Sequence, residues 1–182
     1  MRLNSYFWNT ADRLQKITDL LNHVYTIEYE ITGSELAAML MEYRMIQQYR
    51  PKLNQQLEVH ERTTRYGNLK NFIVILPSSI EESLELFFMN DGLPLQRYEI
   101  LRDAVNFSGV ERILDTNIQN HNVLTDLEMG EMEIVLSWVE ANKDQANYIN
   151  MDTVSGKDAC LKILGDYLSD EETFQKKHFR WL

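Results

Sequence analysis

Four polar residues in the first third of the chain have side chains of types that can take part in chemistry: Arg2, Tyr6, Glu42 and Asn54. A planar guanidinium such as that of Arg2 matches carboxylate or phosphate oxygens. Tyr6 lies one helical turn further on and would face the same way. A single carboxylate such as that of Glu42 suits a magnesium ion that keeps most of its waters and bridges to substrate phosphate.

A helix and a strand are predicted before the segment that carries Glu42. Asn9 and Thr10 can cap a first helix. Its apolar positions recur every three or four residues, at Leu14, Ile17, Leu21 and Val24. Apolar and polar residues then alternate strictly from Tyr25 to Ile31, which predicts a strand with one apolar face.

A second helix is predicted to carry Glu42. Thr32 and Glu35 have the spacing of a capping box. They precede an apolar stripe formed by Leu36, Met39, Leu40, Tyr43 and Ile46. Pro51 disfavours helical geometry in the residue before it, so the helix should end near Arg50.

The helical period places Glu42 within roughly 60° of Met39 and Ile46, at the border of the predicted buried stripe. Its orientation could be fixed there. Taken one by one, these residues have ordinary explanations. A glutamate at a stripe edge is most often a surface charge, Asn54 after a helix is most often a cap or turn residue, and Tyr6 could belong to the core.

The stretch from Gly33 to Asn54 resembles a segment of the GIY-YIG nuclease family, of the UvrC excinuclease type. In that family a helix carries a metal-binding glutamate, and a proline-containing exit leads to an asparagine twelve residues further on. Glu42, Pro51 and Asn54 stand at these positions. The start, Arg2-Leu3-Asn4-Ser5-Tyr6-Phe7, resembles the family's first helix, where an arginine and a tyrosine face the scissile phosphate.

The resemblance implies a DNA repair endonuclease domain that hydrolyses phosphodiesters. It implies catalytic roles for Arg2, Tyr6 and Asn54, and a magnesium or manganese ion at Glu42. In the family, a hairpin with Gly-Ile-Tyr and Tyr-Ile-Gly precedes the arginine helix and supplies the tyrosine that activates water. The chain begins at the arginine helix, so we expect it to lack this hairpin. Loss of a general base costs about 10² to 10⁴ in rate, and the isolated chain is therefore expected to be inactive.

Three explanations of this difference remain open. The natural reading frame could start upstream and encode a complete nuclease. The chain could instead be a catalytically silent module that keeps DNA or protein contacts. Finally, a partner could supply the hairpin, or a second copy could pair across the strand at residues 25–31 and form a homodimer.

The formal charge of −10 is unevenly distributed. Residues 1–70 hold nine Lys and Arg against eight Asp and Glu, whereas residues 71–182 hold nine against twenty. The first part contains a basic series with five candidate nucleic-acid contacts: Arg44, Arg50, Lys52, Arg62 and Arg65. This series could bind phosphates or form a solvated face. The acidic second part could dock a protein.

The second part is predicted to mix strands and helices. Residues 72–76 and 84–89 read as a strand pair bounded by turn residues, 96–119 and 126–146 as helices, 148–151 as a short strand and 157–168 as a closing helix. The fold class predicted for the chain is therefore α+β. Two domains are predicted: a partial nuclease-like domain at 1–60 and an acidic domain at 66–182.

Composition indicates an ordinary globular protein, with 44% hydrophobic and 25% charged residues. No apolar run reaches the roughly 20 residues that span a bilayer, and the start lacks a signal-peptide pattern, so we expect a cytoplasmic protein. The single cysteine, Cys160, cannot form an internal disulfide and is predicted to be a buried structural thiol.

Overall fold

A computed structural model describes residues 18, 22–51, 70–102, 106–116, 123–142 and 146–169. These residues form an antiparallel sheet with helices on both faces, which confirms the predicted α+β class. The elements in chain order are α1 (Glu35–Tyr49), β1 (Phe72–Pro77), β2 (Ser83–Met89), β3 (Gln96–Leu101), α2 (Ser108–Thr116), α3 (Asp126–Ala141), β4 (Asn147–Asn150) and α4 (Lys157–Ser169).

The sheet has the strand order β3-β2-β1-β4, and each neighbouring pair is antiparallel. In the central pair, Phe72 lies opposite Met89 and Pro77 opposite Leu84. These two strands are covered on both faces, which explains their nearly continuous apolar sequences. The predicted strand pair, the short strand near 148–151 and the helix near 157–168 are confirmed. The helix predicted for 126–146 is confirmed over Asp126–Ala141.

One face of the sheet packs against α2 and α4. Ile73, Ile75 and Leu86 from the sheet meet Val110 of α2 and Leu164 of α4. Cys160 is fully buried in this layer, as predicted, and its burial raises the pKa of the thiol to about 11. Such a thiol is protonated and poorly reactive at neutral pH.

The opposite face packs against α1 and α3. Leu36, Ala37 and Leu40 of α1 share one hydrophobic cluster with sheet residues and with α3. The sheet and α3 members are Phe72, Val74, Leu76, Phe87, Met89, Val135, Trp138 and Val139. The helix from the first 60 residues therefore covers the sheet formed by the second part. The division into domains at 1–60 and 66–182 stays a prediction.

The helix predicted for residues 96–119 is wrong in its first part. Residues 96–101 form strand β3 along β2, with Ile100 opposite Leu84, and the helix begins only at Ser108. Ile100 and Leu101 fit a helical spacing in the sequence, but Ile100 is buried and Leu101 is half exposed. Pairing with β2 therefore overrides the local helical pattern.

The strand predicted for Tyr25 to Ile31 is also not observed. Residues 24–32 form neither helix nor strand, and Tyr25 and Tyr29 are 95% and 83% exposed. A strand needs a neighbouring strand for its backbone hydrogen bonds, and the described sheet comprises β1 to β4 only. Most of the predicted first helix lies outside the described residues.

Helix α1 starts slightly later than the capping-box prediction. Its N-cap is Ser34, whose Oγ accepts a hydrogen bond from the Ala37 N–H at 3.2 Å, while Thr32 Oγ1 donates to the Ser34 carbonyl. The predicted end is confirmed. Arg50 is the C-cap in a left-handed conformation with φ 43°, and its N–H donates to the Ile46 carbonyl at 2.9 Å.

No helix among the described residues is long and apolar enough to cross a membrane.

Candidate functional site

Glu42 lies on the exposed side of α1. The buried side of this helix is formed by Leu36, Ala37 and Leu40, which face the sheet. Two residues correspond to a rotation of roughly 200°, so Glu42 lies nearly opposite Leu40. Of the two stripe residues predicted to lie beside Glu42, Ile46 is buried, as expected. Met39 is 38% exposed, so that part of the prediction is wrong.

The surface around Glu42 is largely apolar. Met39, Met45 and Tyr49 are 38%, 46% and 69% exposed, and all lie within roughly 60° of Glu42 on the helical wheel. Helix α1 thus has two apolar faces, one packed on the sheet and one that surrounds the glutamate. A phosphate-bound ion could approach the Glu42 carboxylate from this second face.

Magnesium keeps several waters and takes one or two protein carboxylates together with substrate phosphate. The described residues contain no group of three or more His, Cys, Asp and Glu that could hold a metal ion. Glu42 is a candidate ligand for this kind of partly hydrated site.

The other predicted catalytic residues, Arg2, Tyr6 and Asn54, lie outside the described residues, as do the predicted nucleic-acid contacts Lys52, Arg62 and Arg65. Their convergence on Glu42 and their catalytic roles stay predictions.

Arg44 is engaged in an ion pair with α3. Its Nε donates to Oε1 of Glu131, and this bond raises the pKa of Arg44. The Glu131 side chain is 6% exposed, whereas that of Arg44 is 57% exposed. A guanidinium has five N–H donors, so the bond from Nε does not by itself exclude a phosphate contact. Arg50, the other described basic candidate, is exposed at the end of α1.

The same two helices also meet at Tyr43 and Gly130. The phenol of Tyr43 lies so close to Gly130 that a Cβ there would overlap it. Burial raises the pKa of Tyr43, and the negative charge of Glu131 adds to this rise. Glycine at position 130 thus permits close packing between α1 and α3.

The sequence patterns do not indicate a hydrogen-bonded cluster at the start of α1, formed by Ser34, Glu85 and Arg97. Glu85 of β2 is fully buried on the α1 side of the sheet. One of its carboxylate oxygens accepts a hydrogen bond from Ser34 Oγ, and the other accepts from Arg97 Nη2. In the sequence, Glu85 is the polar member of the alternating run Leu84-Glu85-Leu86, which is typical of a solvent-facing position.

The loop between β1 and β2 binds the residues just before α1. The Ser79 N–H donates to the Gly33 carbonyl at 2.6 Å, and Ser79 Oγ donates to the Thr32 carbonyl at 2.9 Å. Beside this loop, Ser78 and Ser83 donate to Glu99 at 2.7 and 2.8 Å. Glu99 lies opposite Glu85 in the sheet register, and these serines, with Arg97, stabilise two like charges on one face.

Gly33→Ala is expected to lower the free energy of unfolding by about 1–3 kcal/mol, as overpacking does. A Cβ at this position would overlap the buried carboxylate of Glu85. Urea unfolding followed by circular dichroism measures the loss. Gly165→Ala in α4 is the matched control, because its Cβ would meet Phe107 at 3.9 Å, an ordinary contact, and alanine favours a helix. Equal stability of the two variants would contradict the packing at Gly33.

Comparison with known proteins finds similarity in the first third of the chain. Residues 1–55 match the UvrC-like GIY-YIG domain. The UvrABC system protein C of Clostridioides difficile (strain 630) is 38% identical over 53 residues, which cover 29% of this chain and 9% of that protein. That of Thermoanaerobacter sp. (strain X514) is 40% identical over 53 residues, with the same two shares.

The UvrABC system protein C of Lachnospira eligens (strain ATCC 27750) is 37% identical over 57 residues, or 31% of this chain and 9% of that protein. The matched segment thus spans about a tenth of the length of these relatives, and no solved structure matches. The family's segment includes α1 and Glu42. Residues 1–55 of this chain are thus similar to the UvrC-like GIY-YIG domain.

Proposed function

We propose that the chain belongs to a DNA repair endonuclease system and contributes Glu42 as a magnesium or manganese ligand for phosphodiester hydrolysis. The position of Glu42 supports this proposal. It lies on the exposed side of α1, opposite the face that packs on the sheet, and within the segment that matches the UvrC-like domain. A carboxylate on the solvent-exposed side of a helix can be reached by a hydrated ion and by DNA.

The other roles follow the family resemblance. Arg2 would stabilise charge on the phosphate, Tyr6 would assist it, and Asn54 would orient the site through hydrogen bonds. A bound magnesium ion would polarise the phosphate and neutralise its developing charge. The exposed Arg50, with Lys52, Arg62 and Arg65, would contact the DNA backbone. The cytoplasm is the proposed location.

Manganese binding tests the role of Glu42. Mn²⁺ is expected to broaden the amide NMR signals of α1 residues around Glu42, because the ion relaxes nearby nuclei. Glu42→Gln should remove this broadening, since an amide is a much weaker ligand for a hard cation. Glu35→Gln is the matched control, because Glu35 is an exposed glutamate two turns earlier on the same helix. Broadening that persists in Glu42→Gln would contradict the role of Glu42 as a metal ligand.

Plasmid nicking tests the reaction itself. The protein encoded by the full reading frame that contains this sequence should nick supercoiled plasmid in Mg²⁺. Glu42→Ala should lose this activity, whereas Glu35→Ala should keep it. Equal nicking by the unsubstituted protein and Glu42→Ala would exclude Glu42 from the site.

The second candidate function is a catalytically silent module that docks a protein or a second copy of the chain. The excess of eleven acidic over basic residues in 71–182 favours it, as do the exposed apolar side chains of Tyr25, Ile27, Tyr29 and Ile31.

Salt titration of DNA binding separates the two functions. Affinity that falls steeply with salt supports a phosphate-binding surface, and absence of binding at low salt supports protein docking. Sedimentation would detect a homodimer.

A further inference from the structure

We infer that Glu85 and Glu131, which lie outside the family-matched segment, are positioning residues that set the direction in which α1 presents Glu42. The inference rests on the proposed function for its metal-binding consequence. Glu85 binds the start of α1 through Ser34, and Glu131 binds the same helix ten residues later through Arg44. Both carboxylates belong to the second part of the chain.

The burial of the two glutamates makes these contacts directional. Glu85 is 0% exposed and Glu131 is 5% exposed. A buried carboxylate is strongly destabilising unless it is paired and hydrogen-bonded, so each one holds its partner in a narrow geometry. Exposed ion pairs on the same protein, such as Lys70 with Asp91, lack this constraint.

Ser34 connects the first contact to the helix backbone. Its hydroxyl donates a hydrogen bond to Glu85 and accepts one from the Ala37 N–H. The N–H of Ser79 holds the Gly33 carbonyl at the same end of the helix. The first turn of α1 is therefore fixed in both its position and its rotation.

The second contact fixes the middle of the helix. Residues 34 and 44 are roughly 15 Å apart along an α-helix. Two directional contacts at this separation determine the rotation of a rigid helix about its axis. Apolar packing by Leu36 and Leu40 holds α1 against the sheet, but this attraction is nondirectional and constrains the rotation of the helix less than hydrogen bonds do. A one-residue rotation, roughly 100°, would carry Glu42 from the exposed face toward the sheet.

Spin-label distances test the inference without any metal. Nitroxide labels are placed on Gln48→Cys of α1 and Arg112→Cys of α2, both exposed positions. The distance between the labels reports the direction of α1 relative to the helices on the other face of the sheet. Cys160 is buried and remains unlabelled. Glu85→Gln and Glu131→Gln are expected to broaden or shift the distance distribution measured by double electron–electron resonance.

Leu164→Ala is the control for lost stability. Leu164 is 1% exposed in the layer on the other face of the sheet, and its truncation should destabilise the fold while leaving α1 anchored. All variants are compared under conditions in which each is folded. Leu164→Ala is expected to leave the distance distribution unchanged.

The same variants are then titrated with Mn²⁺. Glu85→Gln and Glu131→Gln should raise the Mn²⁺ concentration needed to broaden the amide signals around Glu42 by about two- to thirtyfold, a range typical of remote coupling. Leu164→Ala should not. Unchanged distances in both glutamine variants, or equal changes in Leu164→Ala, would overturn the inference. If the unsubstituted protein shows no Mn²⁺ effect at Glu42, the proposed function fails, and the distances alone still decide whether the two glutamates orient α1.

Discussion

Leu36→Ala is expected to lower the free energy of unfolding by about 2–5 kcal/mol, and to destabilise the sheet together with α1. Leu36 is fully buried in one cluster with Phe72, Val74 and Phe87 of the sheet and Val135 of α3. Truncation would leave a cavity between the family-matched segment and the second part of the chain. The expected loss is large because close-packed residues on two sides cannot both move to fill it.

Native-state hydrogen exchange measures this effect at each amide. In Leu36→Ala, the free energy of opening should fall by the same amount for slowly exchanging amides of β1, β2 and α1, because these elements unfold together. Met39→Ala is the matched control on the same helix, since Met39 is 38% exposed and lies away from the sheet. If only α1 amides respond, residues 1–60 and 66–182 are independent domains, as the sequence predicts.

Arg97→Ala is expected to cost about 3 kcal/mol, the lower end of the range for breaking a buried ion pair. The substitution leaves the Glu85 carboxylate buried at 0% exposure without its cation. The lower end applies because the Arg97 side chain is 46% exposed, so water can approach the vacated position. Chemical denaturation with urea measures the change.

Two comparisons identify the buried charge as the cause. Adding Glu85→Gln to Arg97→Ala should recover part of the loss, because a neutral amide is less costly to bury than an unpaired carboxylate. Lys70→Ala breaks an exposed pair with Asp91, whose side chains are 67% and 62% exposed, and should cost about 0–1 kcal/mol. A loss for Arg97→Ala no greater than that for Lys70→Ala would mean that Glu85 is stably solvated without its partner.

Several elements could be predicted from the sequence because their signals are local. Phe72-Ile73-Val74-Ile75-Leu76 is a short run of strong strand formers that ends at a proline, and it forms a strand buried on both faces. Pro51 marked the end of α1, which the structure places one residue before the Arg50 cap. The spacing of a family segment indicates Glu42 as a candidate, and residues 1–55 match the UvrC-like GIY-YIG domain.

Other features depended on partners that are distant in the sequence. Residues 96–101 fit a helical pattern until β2 supplied a strand to pair with, whereas the alternation at 25–31 is not matched by any described neighbouring strand. The sequence by itself determined the residue types of the candidate site and the identity of the helix that carries Glu42. Only the tertiary structure decided which side of that helix is covered, because burial depends on the sheet that Leu36 and Leu40 meet and on the charges of Glu85 and Glu131.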